Sequence, residues 1–113
     1  MRFAAVDIGS NAVRLLFCDV DTYQNHKDVK KISLIRLPIR LGEDVFTKKK
    51  ISEKNTNQLI KALTAFKNLV DVYQVVAFRV CATSAFREAK NGKEVIEKVK
   101  KKTDITIEII DGD

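Results

Sequence analysis

Residues 3–20 read FAAVDIGSNAVRLLFCDV, two apolar, β-rich runs (Phe3 to Ile8 and Val13 to Val20) on either side of the short turn Gly9-Ser10-Asn11-Ala12. A connection that short joins only antiparallel neighbours, so the chain is predicted to open with a β-hairpin. Beyond it, the polar stretch Asp21 to Lys31 reads as a surface loop. Ile35, Leu37, Ile39 and Leu41 then alternate with Arg36, Pro38 and Arg40, the period-two signature of a half-exposed third strand, and Pro38 suggests an edge position. From Ser52, an expected N-cap, the apolar residues change spacing. Leu59, Leu63, Phe66, Val70 and Tyr73 fall three or four apart and mark one face of a helix that covers the sheet. The run YQVVAFRVCA (Tyr73 to Ala82) predicts a strand of the buried type, followed by a short helix capped by Thr83 or Ser84. A second long helix buries Val95, Ile96 and Val99, and Ile105 to Ile110 forms the last strand. The order β-β-β-α-β-α-β is that of an α/β, ribonuclease-H-like domain with a mixed sheet: three strands by hairpin, then right-handed crossovers that pair in parallel. A single domain is expected over residues 1–113.

Composition narrows the class. The chain has 45% hydrophobic and 32% charged residues, one Pro and four Gly, which excludes disordered, fibrous and low-complexity readings. No apolar run approaches the ~20 residues of a membrane helix, and MRFAAVDIGS lacks the apolar core of a signal peptide, so the expected location is cytoplasmic. Cys18 and Cys81 stand far apart in apolar stretches, form no CxxC pair, and are expected to be buried thiols. The net charge of +6 comes largely from Lys30, Lys31, Lys48 to Lys50 and the Lys98, Lys100 to Lys102 cluster, which would attract polyanions. The spread of these lysines, with Tyr23 the single aromatic in the basic loop, argues against a stacking platform for nucleic acid.

Two segments carry the chemistry. In Asp7-Ile8-Gly9-Ser10-Asn11 an acidic residue ends a buried strand. Backbone N–H groups of the turn that follows can hold an anion, and the carboxylate can orient a divalent cation or water. A plain hairpin turn, with Asp7 bonded to its amides, is the alternative. In Cys81-Ala82-Thr83-Ser84-Ala85-Phe86-Arg87 a strand runs into a helix through two hydroxyl residues. The helix N-terminus favours a negative charge, and Arg87 offers a fork suited to phosphate oxygens. The alternative there is a simple cap with a surface ion pair. Arg14, on the strand after the first turn, is a further anion-binding candidate, or else one half of an inter-strand salt bridge.

Taken together, DIGSNAVRLL (Asp7 to Leu16), IRLGEDVF (Ile39 to Phe46), ATSAFREAKNG (Ala82 to Gly92) and IEIIDGD (Ile107 to Asp113) resemble the N-terminal part of the exopolyphosphatase and guanosine pentaphosphate phosphohydrolase (Ppx/GppA) family of the actin-like ATPase superfamily. The resemblance implies hydrolysis of terminal phosphoryl groups from inorganic polyphosphate or guanosine pentaphosphate, with Mg²⁺ or another divalent cation. It implies Asp7 on the metal, and Gly9, Ser10, Asn11, Thr83, Ser84 and Arg87 on phosphate. The family's catalytic Glu and its second Gly-rich phosphate loop are expected beyond Asp113. Asp111 stands where the family commonly has Ser, and Asp113 where the acidic run begins, so no catalytic residue is assigned. The chain is accordingly expected to be the N-terminal portion of a longer two-domain phosphatase, inactive alone, with the remainder of its chain or a second copy as partner. A ribonuclease-H-type nuclease is disfavoured because the fourth strand ends in Cys81-Ala82-Thr83 rather than an acid. A sugar-kinase-like phosphotransferase and a non-catalytic polyphosphate- or nucleotide-binding module are the remaining alternatives.

Overall fold

The computed structural model describes residues 1–23 and 26–111. Among the described residues, five strands and four helices follow one another as β1 (Arg2–Ile8), β2 (Val13–Tyr23), β3 (His26–Leu37), α1 (Leu41–Lys48), α2 (Glu53–Tyr73), β4 (Ala77–Ala82), α3 (Ser84–Glu88), α4 (Gly92–Thr103) and β5 (Ile107–Ile109). The strands lie in the order β3-β2-β1-β4-β5. β1 pairs antiparallel with β2, with Asp7 opposite Arg14 and Ile8 opposite Val13, and the Gly9 N–H closes the turn on the Ala12 carbonyl at 3.0 Å. β1 pairs in parallel with β4, and β4 with β5, as crossovers through α2 and α4 require. The mixed sheet and its hairpin are thus as the sequence predicts.

One face of the sheet is dry. Ala4, Val6, Ile8, Val13, Leu15, Phe17, Val80 and Ala82 alternate onto it and meet Leu59, Leu63, Phe66 and Val70 of α2 and Val95 and Val99 of α4, all nine-tenths buried or more. Ser52 caps α2 by accepting the Asn55 N–H at 3.1 Å, as expected. Tyr73 closes the apolar stripe of α2 against Phe17, the rings 4.6 Å apart, with Arg2 over its face.

Four expectations need correction. The polar stretch Asp21 to Lys31, expected as a surface loop, lies in β2 and β3 over its described residues. β2 and β3 continue through it in antiparallel register out to Tyr23 opposite His26, shifting register between Phe17 and Cys18. Consecutive polar residues carry no period-two pattern, so nothing local marks this stretch as strand. The alternation through Leu41 is broken in the structure: β3 ends at Leu37, Pro38 lies just past it, and Leu41 opens α1, burying Leu41, Gly42 and Val45. β4 is shorter than YQVVAFRVCA suggests and is buried on one face only. Tyr73 still belongs to α2, Gln74 terminates that helix with φ 53°, and Ala77 and Arg79 are exposed. The same open face carries Cys18 and Cys81, which are half-buried rather than buried.

Candidate functional site

The C-terminal ends of β1 and β4 lie side by side, with Ile8 in register with Ala82 and the Thr83 N–H donating to the Ile8 carbonyl at 3.3 Å. The turn after each strand therefore opens at the same edge of the sheet, where crossover topology gathers ligand-binding loops. Between them lies a cleft of about 380 Å³ lined by Asp7, Gly9, Ser10, Asn11, Ala12, Arg14, Thr83 and Ser84. Seven of the eight residues singled out from the sequence thus meet in one place. Asp113, the nearest acid to the expected catalytic position, lies outside the described residues.

The first turn is held from both sides. Ser10 Oγ and Ser84 Oγ are hydrogen bonded at 3.3 Å, tying the β1–β2 turn to the start of α3. On its other side the Ser10 carbonyl accepts the Gly42 N–H of α1 at 2.8 Å. A Cβ on Gly42 would stand 2.9 Å from Ser10 Cβ and 3.1 Å from the Ser10 carbonyl oxygen, so glycine is what lets the helix approach this closely. Among the described residues, the N–H groups of Ser10 and Asn11 donate to no protein acceptor, which leaves them available to an anion. Gly42 lies within the IRLGEDVF motif, but the motif alone does not show this role, which depends on a neighbour 32 positions earlier that only the fold brings to it.

Asp7 lies on the open face, exposed, and makes no hydrogen bond or ion pair among the described residues. The alternative in which its carboxylate holds the amides of its own turn is not realised, since the Gly9 N–H goes to Ala12. Although Asp7 lies near the end of a strand whose Val6 and Ile8 are buried, strand alternation turns its carboxylate toward solvent, so it carries no desolvation cost. Arg14 stands opposite it across β1–β2, likewise exposed and without an ion-pair partner among the described residues, so the salt-bridge alternative is not realised either.

Arg87 is placed elsewhere. Its guanidinium donates to the Ile110 carbonyl at 3.0 Å and lies 3.9 Å from the Asp111 carboxylate, and it does not line the cleft. Of the alternative given for this segment, the surface ion pair is present, with Asp111 just past β5 as the partner, while the side-chain cap is not. Thr83 is the N-cap of α3, yet its side chain makes no cap bond, and the Ser84 hydroxyl is engaged with Ser10.

As for a cation, the described residues contain no cluster of three acidic, His or Cys side chains. Magnesium nevertheless needs only one or two protein carboxylates, keeping waters and substrate phosphates as its other ligands. One unpaired, exposed Asp7 in a cleft whose neutral polar side chains, Ser10, Asn11, Thr83 and Ser84, offer hydroxyl and amide oxygens fits that donor set, with Arg14 left to the anion rather than the cation. No helix among the described residues is long and apolar enough to cross a membrane.

Comparison with known proteins agrees with this geometry. Residues 20–113 match the Ppx/GppA phosphatase family. The bifunctional 3-dehydroquinate synthase/phosphatase of Fusobacterium nucleatum is 34% identical over 97% of this chain and 17% of its own length. Exopolyphosphatase 1 of Mycobacterium tuberculosis is 28% identical over 100% of this chain and 32% of its own length. The crystal structure of the Aquifex aeolicus Ppx/GppA phosphatase superposes with a TM-score of 0.88 at 31% identity, covering 98% of this chain and 36% of that one. The chain spans about a third or less of the length of these relatives. With the sheet order, the cleft and these matches in agreement, the chain belongs to the Ppx/GppA phosphatase family and has its ribonuclease-H-like, actin-like ATPase fold.

Proposed function

We propose that the cleft between the β1–β2 turn and the start of α3 binds the terminal phosphates of inorganic polyphosphate, as one wall of an exopolyphosphatase-type active site. The observation that carries this reading is the convergence of Asp7, Ser10, Asn11, Arg14, Thr83 and Ser84 on one polar cleft, with free backbone donors at Ser10 and Asn11. Relatives named exopolyphosphatases and the net charge of +6 favour a long phosphate chain over guanosine pentaphosphate as substrate.

In this reading the residues divide the work by position. The N–H groups of Ser10 and Asn11 and the hydroxyls of Ser84 and Thr83 donate to the phosphoryl oxygens, and Arg14 sits at the rim as a charge-assisted donor. Asp7 would hold Mg²⁺, directly or through water, and that ion would neutralise charge on the phosphate oxygens when bound. Phosphoryl transfer has little covalent chemistry for a protein to perform, so rigid placement of donors is the main contribution this chain can make. The Gly42 and Ser84 contacts to Ser10 supply that rigidity. Arg87 would join only if it exchanged its Ile110 carbonyl for phosphate. The general base is expected outside residues 1–113, and turnover by this chain alone is expected to be negligible.

Calorimetric titration of the 113-residue chain with tripolyphosphate in Mg²⁺ tests the reading. Binding that Ser10→Pro abolishes, without phosphate release, is the expected result. No binding overturns it, and brisk phosphate release would show that these residues already contain a complete active site.

A further inference from the structure

Antiparallel register between β2 and β3 places Arg14 directly opposite Arg36, and Arg14 is itself directly opposite Asp7 across β1. Residues directly opposite share a face, so Asp7, Arg14 and Arg36 form one row across three strands on the open side of the sheet. Both arginines are exposed, and neither makes an ion pair or a side-chain hydrogen bond among the described residues. Like charges directly opposite one another are ordinarily unfavourable in a sheet, and among the described residues no carboxylate pairs with either arginine. The arrangement suits a ligand that brings its own negative charges in a line. The cleft already ends at Arg14, and β3 is the edge strand, so nothing in the sheet order stands beyond Arg36.

We propose that Arg36 forms, with Arg14, a second anion subsite one strand outward from the cleft, which takes the further phosphates of a linear phosphate chain whose end lies at Ser10 and Asn11. This rests on the phosphate reading of the cleft and adds to it a chain-length preference. Neighbouring strands are about 4.8 Å apart and an arginine fork reaches several ångströms beyond its Cα, so the pair extends the binding surface by roughly the length of one or two phosphate units. A ligand too short to reach β3 cannot use it.

The test compares pyrophosphate, tripolyphosphate and a longer polyphosphate by calorimetry on the 113-residue chain, with Arg36→Gln, Arg36→Lys and, as a measure of general charge removal, Lys101→Gln. In the unsubstituted chain, affinity should rise with chain length. Arg36→Gln should weaken the longest ligand about tenfold while leaving pyrophosphate within about twofold, the size expected for one charge-assisted contact. Arg36→Lys should recover part of the loss, since it keeps the charge without the fork. Thermal unfolding should be unchanged or slightly improved by Arg36→Gln, because a like-charge pair is relieved; a purely structural role would lower it. An unchanged chain-length profile in Arg36→Gln, or an equal loss in Lys101→Gln, overturns the second subsite alone. If the unsubstituted chain binds none of the three ligands, the phosphate reading of the cleft falls and the subsite with it.

Discussion

Asp7 and Asp44 are the same residue in two very different regions. Asp44, on α1, accepts the Ser52 N–H at 2.9 Å and the Asn55 side-chain amide at 2.7 Å, so it fastens α1 to the N-terminus of α2. Burial alone would raise its carboxyl. The hydrogen bonds from Ser52 and Asn55, with the charge of Lys48, outweigh that and hold it below its ordinary value of 3.8. Asp7, at the cleft, has no such partner among the described residues. One carboxylate is bonded to two donors from the start of α2, and the other has no partner among the described residues. An acid that holds the fold is satisfied internally, whereas the metal role proposed for Asp7 needs one that stays available, and each can be broken separately.

The largest effect is expected at Asp7. Asp7→Asn keeps the shape and an acceptor but removes the charge, so the apparent Mg²⁺ dissociation constant in saturating tripolyphosphate should rise about a hundredfold, the upper range for disturbing a metal site. Its melting temperature should match the unsubstituted chain, because no internal bond is lost. A lower melting temperature with unchanged Mg²⁺ dependence would place Asp7 with Asp44 among the structural acids.

Gly42 joins the two regions, since α1 carries Asp44 on one side and meets Ser10 on the other. Leu41 and Val45 are 0% and 2% exposed and anchor the helix in the core, so α1 cannot easily retreat from a bulkier residue. Gly42→Val should therefore displace Ser10, weakening tripolyphosphate about tenfold or more, since small misplacements of ligand-positioning groups are strongly felt. The overpacking itself should lower stability by roughly 1–3 kcal/mol. Stability loss with full affinity, measured well below the melting point, would show that the cleft does not depend on this contact.

How much of this was legible beforehand follows from how local each cause is. The β1–β2 hairpin and α2 were readable because their patterns are written in consecutive residues: Gly9 to Ala12 between apolar runs, and Leu59, Leu63, Phe66 and Val70 at helical spacing. The cleft residues were readable for the same reason, as strand ends followed by Gly, Ser, Asn or Thr. α1 was not, because Ile39 and Leu41 continue the alternation of β3, and a helix of eight residues with Arg40 at its N-cap and no side-chain cap bond gives little start signal. The contact of Arg87 with Ile110 and the approach of Gly42 to Ser10 are not legible for the opposite reason: each is decided by a residue distant in sequence.

The third prediction breaks the other side of the comparison. Asp44→Ala removes two charge-assisted bonds and should lower unfolding free energy by about 2 kcal/mol, leaving tripolyphosphate affinity within about twofold. The pH dependence has a definite sign. A carboxyl held below 3.8 in the folded state stabilises fully above that value, and the contribution fades as pH falls through the folded value. The stability difference between the unsubstituted chain and Asp44→Ala should therefore be constant near neutrality and shrink under acid. A gap that widened on acidification would mean that burial, not hydrogen bonding, controls this group.

Glu108 supplies the smallest effect and separates two explanations of Asp44. Like Asp44 it is well bonded: Arg79 donates to it through Nε at 3.0 Å and Nη2 at 3.2 Å, a bidentate pair that holds the Glu108 carboxyl below its usual range. Like Asp7 it faces solvent, the two side chains being 66% and 46% exposed for Arg79 and Glu108. If the number of bonds decides what a carboxylate contributes, Glu108→Gln should resemble Asp44→Ala. If exclusion from water decides, the pair gains little, because water solvates both ions equally well when they part and holding two long side chains together has an entropic cost. The second argument applies here, so Glu108→Gln should leave the urea midpoint at pH 7 unchanged within error. Raising salt to about 0.5 M should not separate the two proteins either, since screening weakens only an interaction that was contributing. A midpoint shift as large as that of Asp44→Ala would show that bidentate geometry outweighs exposure at this sheet edge, and the contrast between Asp7 and Asp44 would then reduce to a count of donors.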